Sequence, residues 1–66
     1  GGALRMSGGT LVFVFVATHP KYPNMDLIEV EAPDYARAVM TCAEQMPGVH
    51  LHKLLGTYIL GTRGEA

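Results

Sequence analysis

The chain has 66 residues, 48% of them apolar and 17% charged, with a formal net charge of −1. That length allows one domain, and the composition excludes intrinsic disorder. The longest unbroken apolar run is Leu11–Ala17, far short of the ~20 residues of a membrane-spanning helix. The five basic residues, Arg5, Lys21, Arg37, Lys53 and Arg63, are scattered along the chain, so there is no basic stripe of the kind that neutralises nucleic-acid phosphates.

A domain this small buries only ~60% of the surface its unfolded chain exposes. Its core seldom supplies more than ~3–5 kcal/mol, so small folds recruit a disulfide, a metal, cyclisation or a second subunit. Cys42 is the single cysteine, which excludes an intrachain disulfide and leaves metal or self-association. The free thiol suits a cytoplasmic location. Arg5 precedes the apolar run as in a secretory leader, but Gly8-Gly9 interrupts the approach and no small-x-small cleavage site follows.

Residues 1–9 (GGALRMSGG) hold four glycines and no hydrophobic period. They read as a flexible tail in which Met6 could be the native start, with the residues before it added. Thr10–Ala17 is a valine- and phenylalanine-rich run without glycine or proline, which predicts a strand. It is apolar on both faces: Leu11, Phe13 and Phe15 form one row, Val12, Val14 and Val16 the other. Thr18–Met25 carries two prolines and an asparagine and predicts a loop. Asp26–Ala32 alternates, with Ile28, Val30 and Ala32 on one side and Leu27, Glu29 and Glu31 on the other, as in a half-buried strand.

Pro33 disfavours helix at Ala32, Asp34 can cap the next segment by accepting from the Arg37 amide, and Pro47-Gly48 closes it. This predicts a helix over residues 35–46 with Tyr35, Val39, Cys42 and Met46, flanked by Ala36 and Ala43, facing a sheet. Arg37, Thr41, Glu44 and Gln45 then meet water. Val49–Leu60 predicts a last strand with a bulge or bend near Gly56. Residues 61–66 read as a second flexible tail.

The expected fold is α+β: a β-β-α-β two-layer sandwich spanning residues 10–60, with a three-stranded sheet of order 2-1-3 and one helix on one face. One helix covers one face, so one row of the first strand is expected to be left for a second copy of the chain.

The chemistry-bearing residues favour structural roles. His50 and His52 lie two apart on a strand and could offer two imidazoles to zinc, which takes three or four protein ligands. Glu29, Glu31 and His19 are the conceivable completions, and no metal is assigned. Cys42 lies on the helix's apolar stripe, where cysteine packs as a small hydrophobe rather than a nucleophile. Glu29 and Glu31 fit the solvated face of an edge strand. Phe13 and Phe15 superficially suit base stacking, but the basic residues and second helix of an RNA-recognition sheet are missing. No catalytic residue and no cofactor are therefore expected. The loop residues His19, Lys21, Tyr22 and Asn24 combine cation, aromatic and stiffening prolines, and are the expected partner contacts.

Residues 28–38 (IEVEAPDYARA) form a strand, an acidic cap and an alanine-rich helix. This pattern resembles short orphan proteins of bacteriophages and mobile elements, which are β-β-α-β chains of about this length. The resemblance implies an accessory protein that binds a host or phage protein, and it transfers no site residues. The sequence thus predicts a small non-enzymatic protein-interaction module acting as a homodimer. The alternative is a small nucleic-acid-associated regulator, which the charge balance disfavours.

Overall fold

The computed structural model describes residues 2–7 and 10–59. The elements in chain order are β1 (Gly2–Met6), β2 (Leu11–Thr18), β3 (Met25–Ala32), α1 (Tyr35–Gln45) and β4 (His50–Ile59). The fold is α+β, with one helix and a four-stranded sheet of order β1-β3-β2-β4. This corrects the expected three-stranded sheet of order 2-1-3. The tail expected over 61–66, with Leu60, Gly1 and the Gly8-Gly9 pair, lies outside the described residues.

The added strand comes from the segment expected to be a flexible tail. β1 runs parallel to β3, with Leu4 opposite Ile28, Arg5 opposite Glu29 and Met6 opposite Val30. Its two faces explain why it docks. Met6 is buried in the core, while Arg5, on the other face, reaches both glutamates of β3. Glu29 and Glu31 therefore do not sit on an edge strand, as the sequence suggested; β3 is an inner strand.

β2 runs antiparallel to β3 and to β4, so β3 and β4 point the same way and α1 carries the chain between them. Pairing puts Leu11, Phe13, Phe15 and Ala17 on the same face as Ile28, Val30 and Ala32, and these pack beneath α1 with Met6, Ala38, Cys42 and Met46. Of the two rows of β2, the phenylalanine row thus faces the helix. Asp34 caps the helix, its Oδ1 accepting from the Arg37 amide at 2.8 Å. The buried line on α1 is Ala38 and Cys42, continued by the C-cap residue Met46. The helix is rotated from the expected docking, leaving Ala36 and Ala43 exposed.

Three proline turns close the connections. Tyr22 N–H donates to the His19 carbonyl at 3.1 Å and Met25 N–H to the Tyr22 carbonyl at 3.1 Å, with Pro20 and Pro23 each second in its turn. After the helix, Val49 N–H donates to the Met46 carbonyl at 3.1 Å, and Gly48 has φ of 92°. Proline second and a positive-φ glycine third define a type II turn.

Candidate functional site

The face of β2 turned away from α1 was expected to lie open, and at Val12 it does not. Arg5 Nη2 lies 3.0 Å from Glu31 Oε2 and its Nη1 3.6 Å from Glu29 Oε1. From the other side, the Tyr58 hydroxyl donates to Glu29 Oε1 at 3.2 Å. Tyr58 is on β4 and Glu29 on β3, so that side chain must cross β2. Val12, which pairs with both Tyr58 and Glu31, is consequently 0% exposed. The chain roofs part of this face itself, and Val14 and Val16 remain half-buried.

The expected contact loop is a rigid corner. His19 is buried. Its Nδ1 accepts from the Lys21 amide at 3.0 Å, which leaves Nε2 to carry the proton and donate to the Pro47 carbonyl at 2.7 Å. One imidazole therefore ties the β2–β3 turns to the turn after the helix. The same ring lies 5.0 Å from that of Tyr22. Lys21, Tyr22 and Asn24 project outward, so His19 is a latch and the other three stay available at the surface.

His50 and His52 stack with ring centroids 6.3 Å apart, and His52 Nε2 lies 2.7 Å from Thr18 Oγ1. Among the described residues, no third histidine, cysteine, aspartate or glutamate joins them in a group that could hold a metal. Cys42 is fully buried. Burial pushes its thiol pKa up, partly offset by a backbone hydrogen bond, which is the reverse of what a nucleophilic thiolate needs.

The open surface lies on the helix side of the sheet, over the strand furthest from the helix. Four strands spaced ~4.8 Å apart make a sheet about 19 Å wide, and a helix with its side chains covers about 10 Å. α1 packs mainly on β3, which leaves the β4 margin bare. The pairs Ala17–Leu51, Phe15–Leu54 and Leu11–Ile59 place Leu51, Leu54 and Ile59 on the helix-facing side. Leu54 is 38% exposed and Ile59 59%. Leu55 is the extra residue of a bulge between Leu54 and Gly56 and is also exposed.

The helix continues this surface. Tyr35 packs against Phe13 and Phe15 of β2, with centroids 6.2 and 6.0 Å apart, so the side of α1 bearing Tyr35 is the side towards β4. At ~100° per residue, moving up that side from the buried Ala38–Cys42 line meets Tyr35, Val39, Ala43 and Ala36, then Met40 at the top. None is charged. The opposite side, towards β1, carries Gln45, Thr41, Arg37 and Glu44. Tyr35 is 54% and Met40 51% exposed. Sequence reasoning missed this belt because it assigned Ala36 and Ala43 to the sheet contact. The available signal was an uncharged arc too wide for one docking face.

Comparison with family models, with curated proteins and with solved structures finds no match. Among the described residues, no helix is long and apolar enough to cross a membrane.

Proposed function

We propose that this chain is a small non-enzymatic protein-interaction module that works as a homodimer. The observation that supports this reading is the set of exposed apolar side chains on the helix side of the sheet, Leu54 and Ile59 on β4 with Tyr35 and Met40 on α1. An exposed apolar patch of this kind marks a contact surface, and a 66-residue domain gains most from covering it. Several of the candidate catalytic side chains are instead committed to structure. Cys42 packs in the core, His19 joins two turns, and Glu29 and Glu31 meet Arg5.

The role in binding a host or phage protein, implied by the resemblance of residues 28–38, belongs to the same proposal, as does a cytoplasmic location. Lys21, Tyr22 and Asn24, projecting from a corner stiffened by two proline turns, are the proposed contacts for that further protein. Sedimentation equilibrium at micromolar concentration tests the reading. A mass near twice 7.1 kDa is expected, and a monomer throughout that range would overturn it.

A further inference from the structure

From the belt's geometry we infer that the dimer forms by mutual helix insertion: α1 of a second copy lies over β4, alongside and parallel to α1 of the first. The inference rests on the homodimer reading above and specifies its interface. The β2 row of Phe13, Phe15 and Ala17 is already buried beneath α1, so the space to be filled lies over β4 and its outer margin. Its floor is the apolar margin of Leu51, Leu54 and Ile59, and its wall is Tyr35 and Val39.

The chain carries an element that matches this space. α1 is 11 residues long, or about 16 Å, and fits within the span from Leu51 to Ile59. Its flank towards the gap and its outward surface form one uncharged arc of Val39, Ala43, Ala36 and Met40. The two alanines permit the ~8–10 Å interaxial approach of packed helices. Placed across a two-fold axis, each helix rests its Met40 side on the other copy's β4 floor and its Val39–Ala43 side against the other helix. The charged residues Arg37 and Glu44 stay at the rim.

Both halves of the contact come from the same chain, and neither presents a charge that burial would strand. That self-complementarity favours a second copy over an unrelated helix. The alternative meeting place, the outer edge of β4, is interrupted. Its register shifts twice against β2, with His52 and Leu55 unpaired, and such bulges discourage edge-to-edge pairing.

Two substitutions on the belt and one off it test the inference by sedimentation equilibrium, with circular dichroism confirming that each variant is folded. Met40→Asp lies on the outward side of α1, away from the protein's own core. It should raise the dimer dissociation constant by about tenfold or more. Leu54→Lys on the partner floor should do the same, whereas Leu4→Lys on β1, equally exposed at 38%, should leave it within about twofold. A dimer that survives both Met40→Asp and Leu54→Lys overturns the insertion geometry and leaves the homodimer reading standing. A dimer broken by Leu4→Lys moves the interface to β1. A wild-type monomer overturns both readings.

Discussion

Replacing Met6 by alanine asks whether the N-terminal strand belongs to the fold. Met6 is 7% exposed and sits in the core cluster with Phe13, Val30 and Cys42. Truncating a buried methionine costs about 2–5 kcal/mol, and an edge strand can partly collapse onto the space, which favours about 2–3 kcal/mol here. A core of this size supplies only ~3–5 kcal/mol, so the variant should retain a small margin. For a domain of this size each kcal/mol moves Tm by roughly 4–8 °C, and the expected fall is about 10–20 °C. Thermal and urea unfolding followed by circular dichroism measure it. Leu4→Ala is the internal comparison, because Leu4 lies on the same face but is partly exposed; its loss should be less than half as large. Equal losses within about 0.5 kcal/mol of wild type for both variants would mean that β1 does not dock, and the four-stranded sheet would have to be abandoned.

His19→Ala removes a latch that holds two turns together. It should cost about 1–3 kcal/mol and speed amide exchange at Lys21, Tyr22 and Met25 first. Gly48→Ala meets two obstacles, the positive φ of 92° and a new methyl 3.2 Å from His19 Nε2, and should lower stability by about 1–2 kcal/mol by denaturant titration. Cys42 should resist a thiol reagent in the native protein and react at once when unfolded; prompt native labelling would contradict its placement on the buried side of α1. Because burial raises its pKa, the neutral thiol's contribution is complete below the unfolded-state pKa. It is lost as the pH rises through the folded one, so Cys42→Ala should flatten the alkaline limb of the stability profile.

Local patterns in the sequence were legible where one residue type decides the backbone. Pro33 and Asp34 mark the start of α1, Pro47-Gly48 its end, and the alternation of Ile28, Val30 and Ala32 the buried side of β3. The β1 strand was not legible because its partner is distant. Leu4-Arg5-Met6 is too short to show a period, and its fit to Ile28, Glu29 and Val30 exists only once β3 is in place. The complementary signal was nonetheless present, since a lone arginine between two apolar residues matches an alternating strand with two glutamates. The same non-local effect governed the far face of β2. Val12 looked like part of an uncovered row until Tyr58 and Arg5, from opposite margins of the sheet, met the glutamates above it. The belt was missed for a different reason. The sequence shows that Ala36, Val39, Met40 and Ala43 are uncharged, but only the contact of Tyr35 with Phe13 and Phe15 shows which strand they overlook.

The central claim is that the exposed β4 margin of the sheet is where two copies meet. An isotope-filtered NOE experiment on a dimer assembled from labelled and unlabelled protein reads that contact directly. The account predicts intermolecular NOEs from the Met40 methyl to the methyl groups of Leu54 and Ile59, with none to Val14 or Val16. Intermolecular NOEs confined to Val14 and Val16, or to β1, would contradict it.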